Sequence, residues 1–449
     1  LIPRIIEFAK ARDYEVTNQV PAPDPLWKEP DELTEFITAL KAPFVPRDYQ
    51  AAALRALLDN ERGIIFSPTG SGKSFIIYLL ARTLGEKTLV IVPTLGLVTQ
   101  MVNDFKGYGY TEPIHTIQGG QSKQTTTDIT VSTWQSIYEL PETYFNQFGC
   151  IVVDEVHTAK SKSISGLMER CTKVIYRFGF TGTIDNTECH RLVLEGLFGS
   201  IIRVATTAEL VKQKQLAPLR VKMCVLEYPE TIRKALRYKS YQEEVDWLVQ
   251  EHTRNEFIAR LVANLKGNTL VLFQFVDKHG LLLFKRIKEL CGERKPVYYI
   301  AGSITADERE AIRKAVTSAR ESVTVASYCT TQLGINIPNL DNLVFAHPAK
   351  SPIRVLQSIG RILRLAEGKK HATLFDIADD LRVKRYINHC FKHAQARIEY
   401  YSTEKFQTMM KQIDLGSFAQ LLAERAQIGS GTTNAEQGDS DCGKPSDGL

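Results

Sequence analysis

Apolar residues in this chain fall into short runs, and between the runs they recur at helical spacing. The alternation occurs twice. Its first pass predicts strands at residues 63–66, 88–92, 129–132, 151–153 and 174–180, with helices at 75–84 and 95–105 among the segments between them. The second predicts strands at 269–273, 297–300, 323–326, 343–346 and 373–375. Runs this short, separated by helices, point to parallel strands covered by helices on both faces. The polar stretch 205–219, which contains Pro218, reads as the join between two units. Residues 230–266 and 380–412 read as helical throughout. The expected fold class is therefore α/β, with two tandem parallel-sheet domains at 44–205 and 206–380. A short N-terminal extension (1–43) precedes them. A helical C-terminal extension (381–428) and a disordered tail (429–449) follow.

Composition narrows the class without deciding it. A chain of 449 residues is too long for one ordinary domain. With 43% hydrophobic and 24% charged residues it has the balance of a soluble globular protein. No apolar run approaches the length of a membrane span, and no signal peptide opens the chain, so no membrane partner is expected. The eight cysteines are scattered without CxxC pairs, and Cys150 and Cys329 sit in strand-like contexts. They read as reduced core thiols, not as zinc ligands or a disulfide framework. Net charge is +5, but residues 429–449 hold four acids against Lys444, a local balance of −3 that leaves the rest at +8. That surplus suits a polyanionic partner. No coiled-coil seam is present, and a monomer is expected.

The strongest chemical signal is Ser67-Pro-Thr-Gly-Ser-Gly-Lys-Ser74, set between an apolar strand and a helix. A glycine-rich loop in that context presents backbone N–H groups to one anion, and the helix N-terminus adds partial positive charge. Thr69, Gly70, Ser71 and Gly72 form the cradle, Lys73 reaches the β/γ-phosphates, and Ser74 holds Mg²⁺. The second half of such a site is Cys150-Ile-Val-Val-Asp-Glu-Val-His157. Nucleotide hydrolysis needs a carboxylate for Mg²⁺, which fits Asp154, and a group to orient and deprotonate water, which fits Glu155. His157 stands two positions further on, better placed to couple the nucleotide to a neighbouring loop. ATP and Mg²⁺ are the expected cofactors.

Further motifs fall at predicted strand ends. Gln50, ahead of the loop, has an amide suited to reading adenine. Pro93, Thr94 and Gln100 lie on the sheet edge where open α/β sheets bind ligands. Thr133 and Gln135 suit hydrogen bonds to a phosphate backbone without reading its sequence, while Trp134 between them reads as core. Thr181 and Thr183, in Thr181-Gly-Thr183, are placed to relay the state of the γ-phosphate. The second unit carries no phosphate loop. It carries Gln357-Ser-Ile-Gly-Arg-Ile-Leu-Arg364, in which Arg361 and Arg364 share one helix face. A guanidinium pair delivered across a cleft neutralises charge on a transferring phosphoryl group. Thr330, Thr331, Gly334 and Asn336 are candidates for contact with nucleic acid and ribose. Lys384, Arg385, Lys392 and Arg397 form a basic stretch that reads either as an extended nucleic-acid track or as a solvated helix face.

The order and types of these motifs resemble superfamily 2 helicases over about residues 44–380. Asp154-Glu-Val-His157 is similar to that family's DExH box, Gln50 to its adenine-reading glutamine, and Gly334 and Gln357–Arg364 to the motifs of its second core domain. Trp134-Gln-Ser136, Lys162-Ser-Ile-Ser165 and Gln357-Ser-Ile-Gly-Arg361 resemble the phage UvsW type of branch-migration helicase in particular. The resemblance implies two RecA-like domains with ATP between them and nucleic acid across their top. It implies catalytic roles for Lys73, Asp154, Glu155, His157, Gln357, Arg361 and Arg364. It also implies ATP-driven 3′→5′ unwinding and branch migration of forked or four-way DNA, with forked, branched or single-stranded DNA as the partner and RNA a lesser one. A cytoplasmic setting follows, that of the host cell if the gene belongs to a phage. Asn336 departs from the acid carried by many relatives, and residues 1–43 are shorter than a separate N-terminal DNA-binding domain. Three other readings stay open: an RNA helicase, a double-stranded DNA translocase that separates no strands, and a scaffold that uses nucleotide as a switch.

Overall fold

The computed structural model describes residues 2–17, 30–118, 122–158, 161–183, 188–302, 304–332, 339–348, 352–366 and 369–431. Fourteen strands form two sheets. The first holds β1 (Arg62–Phe66), β2 (Thr88–Val92), β3 (Ile114–Ile117), β4 (Ile129–Thr133), β5 (Cys150–Asp154), β6 (Tyr176–Thr181) and β7 (Ile201–Arg203). The second holds β8 (Leu219–Glu227), β9 (Asn268–Phe273), β10 (Val297–Ile300), β11 (Ser322–Ser327), β12 (Leu340–Phe345), β13 (Ala372–Asp380) and β14 (Gln407–Asp414). Their orders are β3-β4-β2-β5-β6-β1-β7 and β10-β11-β9-β12-β13-β8-β14. Every pairing between named strands is parallel.

The central strands of both sheets are buried on both faces, as the apolar runs require. Along β1 and β2, Ile65, Val90 and Val92 face one core, while Ile64, Leu89 and Ile91 face another. In β9 the same alternation sends Leu270 and Leu272 one way and Val271 and Phe273 the other. A parallel sheet exposes the C-terminal ends of its strands as one edge, and the phosphate loop and acidic box both lie on that edge of the first sheet. Tyr49 of the first unit packs into the core of the second, with Leu210 and Leu216 of the join.

Four expectations need correction, the last of them the core placement of Cys329. Residues 230–266 form three helices, Glu230–Ala235, Tyr241–Leu248 and His252–Asn264, and not one continuous helix. The segment after residue 380 is not helical throughout: between the helices His389–Thr403 and Leu415–Gly431, β14 adds a seventh strand beside β8. Arg397 is no part of a basic track. It is buried and donates to Asp376 at 2.8 and 2.7 Å, and the Tyr401 hydroxyl donates to the same carboxylate at 2.7 Å. Cys329 is exposed on a short helical turn, while Cys150, Cys171, Cys224, Cys291 and Cys390 are buried free thiols. Of the expected tail, 429–431 close the last helix and 432–449 lie outside the described residues. Among the described residues no helix is long and apolar enough to cross a membrane.

Candidate functional site

The loop after β1 turns on two left-handed glycines, Gly70 (φ 89°) and Gly72 (φ 79°). A side chain at either would strain the backbone. At Gly72 a β-carbon would also come within 2.6 Å of Gln50 Nε2. The helix Lys73–Leu84 begins immediately after, so its first free N–H groups face the loop. Lys73 Nζ donates to the carbonyls of Ser67 and Pro68 at 3.3 and 3.5 Å. The hydroxyls of Ser67 and Ser71 are buried without a hydrogen-bond partner. A cradle with unused buried hydroxyls and an ammonium resting on loop carbonyls fits a phosphate chain. Gln50 braces this loop. Its Oε1 accepts from Arg47 N at 3.0 Å and its amide donates to Ser71 O at 2.9 Å, beside a 2.6 Å hydrogen bond from Tyr49 OH to the same carbonyl. One end of the Gln50 amide is thus engaged by the loop and the other by the backbone of Arg47, at the N-cap of its own helix.

Asp154 ends β5, and Glu155 follows in the left-handed region at φ 50°, unusual for a residue with a side chain. Burial and the adjacent Glu155 charge push the Asp154 carboxyl up to about 7, and the Lys73 ammonium pulls it down. His157 Nδ1 lies 3.3 Å from Glu155 Oε2 and 2.6 Å from Thr181 Oγ1. Thr181 Oγ1 in turn donates to Thr183 O at 2.6 Å. Burial lowers the His157 pKa, which keeps the ring neutral and able to bridge these two partners. The expected coupling set, His157, Thr181 and Thr183, is therefore one hydrogen-bonded chain. Gly182, inside it, packs on the loop: a β-carbon there would sit 3.2 Å from Thr69 Oγ1 and 3.3 Å from Lys73 Nζ.

The second unit reaches this site through the helix Pro352–Ile362. Gly360 lies against Thr69, with its carbonyl facing Gly70. A cleft of about 420 Å³ separates the units at this point, lined by Phe66, Thr69, Gly182, Arg203 and Gly360 among others. Arg361 is drawn to Glu155, and burial beside Arg364 lowers its pKa to about 10. Arg364 is drawn instead to Asp104, on the helix Leu95–Gly107 after β2, whose C-cap is Tyr108. Tyr108 OH lies 2.9 Å from Ser74 Oγ. The sequence reading singled out neither Asp104 nor Tyr108. Their spacing was the available signal, since Gln100, Asp104 and Tyr108 lie four apart along one helix face.

The remaining candidates divide. Thr94 caps the helix Leu95–Gly107, its hydroxyl accepting from Leu97 N, beside a half-buried Pro93 on the C-terminal edge of β2. Gln135 is exposed, but Thr133 is buried and its hydroxyl meets Ser136 Oγ at 2.9 Å, so it builds the turn and presents nothing to a backbone. Trp134 packs partly buried against the core. Thr330 is also buried, its hydroxyl paired with Ser327. Gly334 and Asn336 lie outside the described residues. Gln357 and Thr331 are placed in helices, Pro352–Ile362 and Tyr328–Gln332, but their side chains lie outside the described set.

Two family models match the chain: the res subunit of type III restriction enzymes over residues 43–186, and the helicase conserved C-terminal domain over 253–366. Tandem parallel sheets, motif order and these matches define an ATP-dependent helicase of superfamily 2. Over 393 residues the chain is 35% identical to the ATP-dependent DNA helicase UvsW of Enterobacteria phage T4, covering 82% of this chain and 78% of the relative. It is thereby a member of the UvsW family. It is also 26% identical over 390 residues to the DNA 3′-5′ translocase XPB2 of Sulfurisphaera tokodaii, with 78% of this chain and 87% of that one covered. The solved structure of Saccharomyces cerevisiae Dbp5 bound to RNA and ADP BeF3 shares the fold at a TM-score of 0.56 and 15% identity, covering 88% and 97% of the two chains.

Proposed function

We propose that this helicase is a Mg²⁺-dependent DNA motor that tracks 3′→5′ and unwinds or branch-migrates forked and four-way DNA as a monomer. The observation that carries the reading is the split site. The loop and acidic box belong to one sheet, and the arginines facing Glu155 and Asp104 belong to the other. Turnover is thereby tied to relative movement of the two units, which a motor needs and a fixed scaffold does not. DNA as substrate, and the 3′→5′ direction, draw on the named activities of UvsW and XPB2.

In this reading Lys73 leaves the Ser67 and Pro68 carbonyls for phosphate oxygens. Ser74 and Asp154 hold the cation, which when bound neutralises charge developing on the transferred phosphoryl group. Glu155, fixed by its backbone and by His157, orients the attacking water and takes its proton. Arg361 completes the charge stabilisation from across the cleft. The chain His157–Thr181–Thr183 reports the state of the site to the rest of the first unit. Pro93, Thr94, Gln100 and Gln135, on one sheet edge, grip the backbone without reading sequence, a grip that weakens with salt.

Steady-state ATPase with no polymer, single-stranded DNA, forked DNA, a four-way junction and RNA, each at two salt concentrations, tests this. Strong stimulation by branched DNA that weakens with salt is the expected result. Stimulation by RNA alone moves the substrate to RNA, and a flat response to every polymer removes the motor.

A further inference from the structure

The helix Leu95–Gly107 begins on the nucleic-acid edge and ends beside the phosphate loop. Tyr108, its C-cap, places its hydroxyl 2.9 Å from Ser74 Oγ. Asp104, one turn earlier, has its carboxyl beside the Ser74 hydroxyl and the Gln100 amide, both of which favour its charged form against the upward push of burial. The Tyr108 ring has little freedom, with Phe75 at 4.9 Å and Tyr78 at 5.6 Å between ring centres. Arg364, from the other unit, is drawn to Asp104. Two side chains thus occupy both the residue placed to hold the cation and an arginine placed to reach the phosphate.

We propose that Asp104 and Tyr108 are positioning residues that form a latch, holding the Ser74 hydroxyl and Arg364 in the nucleotide-free chain and releasing both when a magnesium nucleotide seats. The inference rests on the nucleotide site proposed above. It supplies a route from polymer to turnover. Asp104 also holds Gln100, so a backbone that draws Gln100 outward loosens the grip of Asp104 on Ser74. Polymer binding then does what the nucleotide must otherwise do alone.

Tyr108→Phe keeps the ring contacts and removes the hydroxyl. The full chain is titrated with a fluorescent non-hydrolysable ATP analogue, without polymer, in Mg²⁺ and again in EDTA. Releasing one hydrogen bond to Ser74 is expected to tighten binding about fivefold in Mg²⁺. In EDTA the variant and the parent chain bind alike, because the freed hydroxyl has no cation to meet. Basal ATPase rises, and the ratio of DNA-stimulated to basal turnover falls. Unchanged or weaker binding in Mg²⁺, or a gain of equal size in EDTA, overturns the latch. Asp104→Asn loosens Ser74 and the attraction for Arg364 together and is expected to tighten binding in Mg²⁺ likewise, with only a smaller gain in EDTA from the freed guanidinium, so the test survives a Tyr108→Phe chain that fails to fold. Lys73→Ala separates the two levels. If it still binds the Mg²⁺ analogue normally, the nucleotide site itself is wrong. If it loses binding while Tyr108→Phe and Asp104→Asn match the parent chain, the latch alone falls.

Discussion

Gly360 sits where the arginine-bearing helix crosses the phosphate loop, and the fit leaves no room for a methyl group. A β-carbon there would overlap the Thr69 side chain, whose own β-carbon is fixed to the loop backbone and cannot swing away. Gly360→Ala is therefore expected to hold the units apart and lower ATP turnover roughly tenfold or more, a loss of ~1.4 kcal/mol or more of transition-state stabilisation. Alanine favours a helix over glycine, so the circular dichroism spectrum and melting temperature should stay close to those of the parent chain. Steady-state ATPase read beside a thermal melt checks both halves of that statement. The catalytic residues were legible in sequence at this scale because their chemistry is local. Lys73 and Ser74 follow their glycines directly, and Asp154 and Glu155 end an apolar strand. Gln50 was legible as a site residue but not in its bonding, since its amide is engaged by Arg47 and by Ser71, twenty-one positions away.

Elements are held together in the second unit by buried charges that the apolar pattern did not reveal. Arg254, on the helix His252–Asn264, donates to both oxygens of Asp379 on β13 at 2.7 and 3.0 Å, and Tyr228 donates to the same carboxylate at 2.8 Å. Both charged side chains are fully buried. Asp379→Ala leaves the guanidinium uncompensated in the core, which costs about 3–5 kcal/mol. The urea midpoint of the second unit is expected to fall accordingly. The double variant Arg254→Met/Asp379→Leu is expected to recover most of the loss, because an apolar pair of similar bulk carries no desolvation cost. An unmoved midpoint in the single variant would show that the pair contributes nothing. Of the strands missed in sequence, which also include β3 and β7, β14 and β8 have related causes. β14 is an edge strand with most positions exposed, so Gln407–Asp414 shows no apolar run and its Met, Lys and Gln residues favour a helical reading. The first half of β8 alternates buried and exposed positions, with Arg220 and Lys222 outward, which interrupts the continuous apolar signal of a central strand.

At the scale of the whole molecule, function depends on a placement that no local pattern encodes. Neither unit holds a complete site. The first lacks the arginines, and the second lacks a phosphate loop. What joins them is the Tyr49 ring in the second core, the join from β7 to β8, and the approach of Gly360 to Thr69. Motif order made the two halves recognisable in sequence, but the contacts between them bring together residues more than two hundred positions apart. Arg361 is the most direct probe of this arrangement, because its charge faces Glu155 of the other unit. Arg361→Ala removes the guanidinium that faces Glu155 while leaving every side chain of the loop, the acidic box and the latch in place. Binding of a non-hydrolysable ATP analogue should persist, because Lys73 and the loop amides are intact. Hydrolysis should fall by about 10³ or more, the usual size of a lost arginine finger. DNA stimulation should disappear with it, since polymer binding can only accelerate a site that closure completes. Full turnover in Arg361→Ala would assign the charge stabilisation elsewhere. The helix ends at Ile362, so Arg364 lies just beyond it and does not share its face as the spacing predicts. The Arg361→Ala/Arg364→Ala pair then decides whether the second unit supplies any catalytic charge.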